Sequence, residues 1–118
     1  MWYVYCLLCE NDSIYAGITS DLQRRFTEHL SGDGARYTRA FPPEKVMRAW
    51  ICPDRSIASK VEYSIKNLPT EQKHKLCRSQ QVSEMPAELD ALRCNMQPVP
   101  DDELPKTQNT DDTQGDSN

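Results

Sequence analysis

Residues 13–30 have the sequence SIYAGITSDLQRRFTEHL, in which the signals of a strand, a turn and a helix follow one another closely. The apolar residues of 14–18 predict a short strand that ends near a glycine. Ser20, with Gln23 three positions later, matches the capping box found at the start of many helices. This stretch therefore predicts a strand that leads directly into a capped helix.

The helix of this stretch has one apolar face with charged side chains beside it. Leu22, Phe26 and Leu30 recur every four residues, which predicts that they are buried together. Arg25 and His29 are also four residues apart, so they share a neighbouring face. We therefore expect the helix to present Arg25 and His29 at the rim of the core.

The surrounding sequence predicts a small sheet. Residues 2–9 are aromatic and β-rich, and the turn formers at 10–13 should pair them with 14–18 as an antiparallel hairpin. Residues 45–52 predict a third strand. We therefore expect an α/β fold of the α+β type, with a small three-stranded, mainly antiparallel sheet flanked by helices.

Two further helices are predicted after the third strand. Ser56 is the expected cap of the first helix. Its apolar face should consist of Ile57, Val61, Ile65 and Leu68. Pro69 ends that helix, and Thr70 begins a shorter one.

Charge is divided unevenly along the 118 residues, whose net charge is −4. Residues 1–80 hold 12 basic and 9 acidic side chains, whereas residues 81–118 hold 2 and 9. We predict a mildly basic domain over 1–80, a short helical extension over 81–96 and a disordered acidic tail over 97–118. The tail has too few apolar residues to offset its ordering entropy. It either solubilises the chain or shields the basic face of the domain.

The five cysteines do not indicate a disulfide framework, because their number is odd. Cys6 and Cys9 form a C-x-x-C motif, but residues three apart on a strand point to opposite faces, so we expect both to be packing residues. No apolar run approaches the ~20 residues of a membrane span. The apolar N-terminus lacks the basic start of a signal peptide. We therefore expect a cytoplasmic protein with no membrane partner.

Five polar residues stand on four of the predicted elements: Tyr5, Tyr15, Arg25, His29 and Glu62. Taken singly, each has an ordinary explanation, because strand tyrosines usually pack and charges on a helix rim are usually solvated. Their combined spacing is more specific than any one of them.

The chain resembles the GIY-YIG nucleases over roughly residues 1–78. The sequences YVY at 3–5 and YAG at 15–17 resemble the two-part signature of that family. The run GITSDLQRRFTEHLSGDGARYT at 17–38 is similar to its Arg-x-x-x-His helix and Gly-rich loop. The run ASKVEYSIKNL at 58–68 resembles the helix that carries its glutamate. The chain is most similar to the small stand-alone bacterial members.

Two positions depart from the family signature. Tyr3 stands where the family has Gly, and Ala16 stands where it has Ile, yet both signature tyrosines stay in register. Some members have an Asn on a later helix. Asn67 and His74 lie near that region, but the role is carried over to neither.

The resemblance implies phosphodiester hydrolysis with one divalent metal ion, Mg²⁺ or Mn²⁺, bound by Glu62. Arg25 would bind the phosphoryl group. Tyr5 and Tyr15 would jointly supply the base and orient the attacking water, and the choice between them stays open. Because a free tyrosine has a pKa of about 10, it needs help at neutral pH. His29 would either relay the proton or position the phosphate.

The predicted partner is DNA. Arg36 and Arg39 flank Tyr37 near these residues, and we expect all three to contact the nucleic acid. Since no sequence-reading motif is present, binding should be weak, salt-sensitive and directed at the backbone.

The sequence thus predicts a metal-dependent DNA endonuclease, structure-selective and related to repair. Two alternatives stay open: a non-catalytic nucleic-acid-binding module with the same fold, and an adaptor that acts only with a protein partner. The intact set of five residues favours the enzyme, because a binding module has no need of Glu62.

Overall fold

The computed structural model describes residues 1–78 and 96–106. Its described elements are β1 (Trp2–Cys9), β2 (Ile14–Thr19), α1 (Leu22–Ser31), α2 (Arg36–Ala40), β3 (Pro43–Cys52), α3 (Arg55–Lys66), α4 (Thr70–Arg78), β4 (Gln97–Pro98) and a 3₁₀ turn (Asp101–Glu103). Within these residues the sheet has the order β2-β1-β3-β4, and neighbouring strands are antiparallel. The predicted α+β fold is confirmed, with four strands instead of three.

The predicted hairpin forms between β1 and β2. Tyr5 pairs with Gly17 and Leu7 pairs with Tyr15, and the turn contains Asp12 at a positive φ of 65°. Because β1 lies between β2 and β3, Tyr5 is central in the sheet, whereas Tyr15 lies on an edge strand.

Each face of the sheet has its own hydrophobic core. On one face, alternate residues of β1 and β2 pack against α3 and α4. On the other, Tyr5 and Leu7 pack with Leu22 and Phe26 of α1. Cys6 belongs to the first core and the buried Cys9 to the second, so the two thiols of the C-x-x-C motif point to opposite faces as packing residues.

Both predicted helix caps were wrong by one or two residues. Asp21, not Ser20, caps α1, because its carboxylate accepts a hydrogen bond from the Arg24 backbone N–H (3.1 Å). Asp54, not Ser56, caps α3 by accepting from the Ile57 N–H (2.9 Å). An Asp at either position reaches the free N–H groups of the first turn as well as a Ser does.

The buried face of α1 also differs from the prediction. Leu22 and Phe26 are buried, but Leu30 is 44% exposed, whereas His29 is only 1% exposed. The helix is therefore rotated so that its buried stripe ends on His29 instead of on Leu30. The polar ring can be buried there because both of its nitrogens have partners.

The prediction of a disordered tail from residue 97 is wrong for residues 97–106. Trp50 and Ile51 of β3 pair with β4, and Val99 and Leu104 are buried in the core beside α1. A few apolar anchors on a free strand edge are enough to order this segment. The predicted extension over 81–96 lies outside the described residues except for the buried Met96, and residues 107–118 lie outside them entirely.

No helix in the described ranges has the length and hydropathy that a membrane crossing requires.

Candidate active site

The core of the candidate site is a buried contact between Tyr5 and His29. Tyr5, on the central strand β1, is 2% exposed, and its hydroxyl lies 2.8 Å from His29 Nε2 in a hydrogen bond. Since His29 is in the last turn of α1, the contact joins the sheet to the helix packed on it. The structure thus brings together two of the five residues that the sequence singled out.

The other nitrogen of His29 has a partner that the sequence analysis missed. Nδ1 lies 2.7 Å from the Oγ1 atom of Thr38, which is 1% exposed on the short helix α2. A Cβ atom at Gly34 would overlap the His29 ring, so glycine at that position lets the loop approach the imidazole. Gly34 and Thr38 both belong to the motif GDGARYT, but no sequence pattern distinguished Thr38 from its neighbours as a partner of His29.

Gly17 lies inside β2 opposite Tyr5, and a Cβ atom there would lie 2.6 Å from Tyr5 Cζ. The absence of a side chain at Gly17 therefore makes room for the Tyr5 ring.

Tyr15 also contacts the imidazole. Its ring meets His29 edge-on, with 5.4 Å between the ring centroids, and stacks on Tyr37 at 5.9 Å. The Tyr37 hydroxyl contacts Ser13 Oγ at 2.6 Å and accepts from Asn11 Nδ2 at 3.2 Å, so Tyr37 ties α2 to the β1–β2 turn. Tyr37 thus forms a wall of the site while remaining 38% exposed.

Arg25 lies at the open side of this cluster. Its Nη1 atom donates to Glu28 Oε1 at 2.9 Å, and its guanidinium lies close enough to Tyr5 to influence the pKa of that hydroxyl. Arg24, by contrast, points outward with a side chain that is 67% exposed. Glu28 was not singled out in the sequence, although an acid three residues after an arginine on a helix is a natural partner for it.

Glu62 lies on α3, and its interaction with Tyr5 is electrostatic. Its negative charge is among the factors that raise the Tyr5 pKa, and its carboxylate pairs with Lys66 at 3.4 Å. Lys66 Nζ in turn lies 5.8 Å from the centre of the Tyr15 ring. The side chain of Glu62 is 22% exposed.

These residues suit a weakly held, hard cation. In the described part of the chain no three His, Cys, Asp or Glu side chains are grouped to hold a metal ion. A single partly exposed carboxylate is nevertheless compatible with Mg²⁺, which keeps several waters and takes phosphate oxygens as ligands. Glu62 is therefore the residue that would hold such an ion.

Burial determines the protonation states of the central pair. It raises the pKa of Tyr5 to about 12, although Arg25 acts in the opposite direction. Burial, with repulsion from the Arg25 guanidinium, lowers the pKa of His29 to about 4. At pH 7 the site therefore holds a neutral hydroxyl beside a neutral imidazole.

Arg36 and Arg39 are exposed on α2, beside Tyr37. Asn67, the residue after α3, donates from Nδ2 to the carbonyl of Tyr63 in that helix (2.8 Å). His74 Nε2 donates to the carbonyl of Asp12 (2.8 Å), which holds α4 against the β1–β2 turn. Both Asn67 and His74 therefore have structural partners away from the Tyr5–His29 contact.

Comparison with known proteins identifies relatives of this chain. The family model for the GIY-YIG catalytic domain matches residues 1–75. A UPF0213 protein of Xanthomonas axonopodis pv. citri is 54% identical over 72 residues, which cover 61% of this chain and 71% of the relative. A UPF0213 protein of Cupriavidus necator is 50% identical over 76 residues, covering 64% and 83%.

A solved structure is also similar. The solution NMR structure of a UPF0213 protein from Bacillus halodurans is 40% identical, covers 64% of this chain and 82% of that chain, and has a TM-score of 0.42.

Proposed function

This chain belongs to the GIY-YIG catalytic domain family, a family of nucleases, and we propose on that premise that it is a divalent-metal-dependent endonuclease that hydrolyses phosphodiester bonds in DNA. The observation that supports this most is the buried hydrogen bond between Tyr5 and His29, two residues 24 positions apart. This contact places an imidazole that is neutral at pH 7 directly at the hydroxyl of a signature tyrosine.

The proton of the attacking water would pass through this pair. Tyr5 alone is a poor base because its pKa is raised to about 12, and a buried tyrosinate would be costly. As Tyr5 takes a proton from water it can pass its own proton to the neutral His29. The charge then ends on the imidazole, and Tyr15, beside the same ring, orients the water.

The phosphoryl group would be bound by Arg25. Its hydrogen bond to Glu28 fixes the guanidinium beside the Tyr5 hydroxyl, which is where the attacked phosphorus would lie. A guanidinium stays charged and matches the geometry of phosphate oxygens. Mg²⁺ or Mn²⁺, when held by Glu62, would supply further neutralisation of phosphate charge and a more acidic water.

DNA would be bound weakly and through its backbone. Arg36 and Arg39 are exposed beside the aromatic wall formed by Tyr15 and Tyr37, where they can contact phosphates on either side of the cut. Such contacts position the duplex without reading bases, so affinity should fall steeply with salt. This suits selection of DNA by its structure, as in repair. The described cysteines are free thiols, in keeping with the cytoplasm.

Cleavage assays with matched variants test the proposal. The full chain would be incubated with single-stranded, duplex, nicked and branched DNA in Mg²⁺ or Mn²⁺. Glu62→Gln removes the carboxylate charge while keeping the shape of the side chain. Glu71→Gln makes the same change at an exposed position on α4 and is the control.

We expect metal-dependent cleavage that Glu62→Gln lowers ~10²-fold or more and that Glu71→Gln leaves unchanged. A Glu62→Gln protein that cleaves at the original rate would refute the metal-binding role. Binding of DNA without cleavage by any of the proteins would identify a binding module instead. Activity that appears only when a partner protein is added would identify an adaptor.

A further inference from the structure

The hydrogen bonds around His29 determine which of its nitrogens carries the proton. A neutral imidazole has one N–H, and the two contacts of His29, to Tyr5 and Thr38, both involve hydroxyl groups that can donate or accept. The two tautomers give opposite directions of proton transfer along this chain of contacts. One further contact distinguishes them.

Thr38 has a second partner, which can only accept. Its Oγ1 atom lies 3.0 Å from the backbone carbonyl oxygen of Ala35. A hydroxyl has a single hydrogen, so a Thr38 hydroxyl that donates to Ala35 must accept from His29 Nδ1–H across the 2.7 Å contact. In the other tautomer, the oxygens of Thr38 and Ala35 would face each other at 3.0 Å with no hydrogen between them.

We infer that Thr38 is a positioning residue that holds His29 as the Nδ1–H tautomer, so that the lone pair of Nε2 faces the Tyr5 hydroxyl and receives its proton. The direction is then Tyr5 O–H to His29 Nε2, and His29 Nδ1–H to Thr38 Oγ1. This inference rests on the proposed function for its catalytic meaning, but the tautomer itself is a property of the folded chain.

Because the Thr38–His29 contact is buried, water cannot easily take the place of the Thr38 hydroxyl. His29 and Thr38 are each 1% exposed, so water has little access to substitute for a lost partner. Gly34 contributes by leaving room at the imidazole, because a Cβ there would lie 2.9 Å from His29 Cγ. The glycine-rich loop thus brings the Thr38 hydroxyl to His29 Nδ1.

Imidazole ¹⁵N chemical shifts of the full chain at pH 7 report the tautomer without any cleavage assay. The chain has two histidines, so the long-range ¹H–¹⁵N spectrum contains two imidazole patterns. The variants are Thr38→Val, which keeps the shape and removes the hydroxyl, and Thr38→Ser, which keeps the hydroxyl. Thr27→Val, on an exposed face of α1, is the control.

We expect the Nδ1–H pattern at His29 in the wild type, in Thr38→Ser and in Thr27→Val. In Thr38→Val the ratio of tautomers should shift toward Nε2–H by roughly fivefold or more, the equivalent of one hydrogen bond. With DNA, Thr38→Val should lower kcat roughly tenfold with KM unchanged, and Thr38→Ser should restore most of it.

A wild-type His29 that carries its proton on Nε2 would overturn the inference, and this measurement needs no variant to fold. An unchanged Nδ1–H pattern in Thr38→Val would overturn it as well. If the tautomer responds as expected but no protein cleaves DNA, the positioning by Thr38 stands and the proposed nuclease function fails.

Discussion

Acidification from pH 7 to pH 5 should destabilise this protein through His29. The folded chain holds the pKa of His29 at about 4, by burial and by repulsion from Arg25. In the unfolded chain the imidazole is expected to have its ordinary pKa of about 6.5. Between these values the unfolded state binds more protons, so the free energy of unfolding must fall as the pH falls.

The size of the effect follows from the two pKa values. Proton linkage gives a loss of about 2 kcal/mol in the free energy of unfolding between pH 7 and pH 5 from this one side chain. The loss approaches about 3 kcal/mol as the pH reaches 4 and then levels off. This is a large share of the 5–15 kcal/mol by which a domain is usually stable, on the order of a quarter.

Urea unfolding of wild type and His29→Gln at pH 7 and pH 5 measures this loss in the free energy of unfolding. Glutamine does not titrate, and the carboxyl groups titrate in both proteins, so the difference between the two pH dependences isolates His29. We expect the wild type to lose about 2 kcal/mol more than the variant over this range. An NMR titration of the wild-type imidazole, with an expected midpoint near pH 4, is an independent check.

Equal losses in the two proteins would refute this reasoning. So would a His29 midpoint near pH 6 or above in the folded protein, because the ring would then be solvated or paired with a negative charge.

Three substitutions test other parts of the structure. Gly17→Ala should destabilise the protein by about 1–3 kcal/mol in urea unfolding, because its Cβ would displace the buried Tyr5 ring; an unchanged midpoint would contradict the close approach. Leu104→Ala should cost about 2 kcal/mol or more, since Leu104 is 6% exposed in the core beside α1; no loss would show that the segment is not anchored. Arg25→Ala should slow DNA cleavage ~10²-fold, whereas Arg24→Ala should not, and equal rates for the two would remove Arg25 from the site.

Local sequence patterns were sufficient to predict most of the elements. These patterns relate residues that are close in sequence, so local geometry determines them. They are the alternation in β1 and β2, the four-residue spacing in α1 and the glycines after α1. The C-x-x-C motif was correctly interpreted for the same reason, because strand geometry alone sends Cys6 and Cys9 to opposite faces. The resemblance to GIY-YIG nucleases is confirmed by the family match over residues 1–75.

Other features depend on how the elements dock. The sequence predicted a buried Leu30 and placed His29 at the rim of the core. His29 is buried instead because Tyr5 and Thr38 are within hydrogen-bond reach of its ring. Likewise, the short strand β4 has no pattern of its own and exists because β3 offers it a free edge.

The identity and spacing of Tyr5, Tyr15, Arg25, His29 and Glu62 were available from the sequence. The sequence did not reveal the partner of each His29 nitrogen or the pKa values of Tyr5 and His29. It also did not reveal that the Tyr5 ring requires glycine at position 17. These properties arise from contacts between residues far apart in the chain and from the exclusion of water around them. Burial and distance, which set the strength of electrostatic interactions, exist only once the chain has folded.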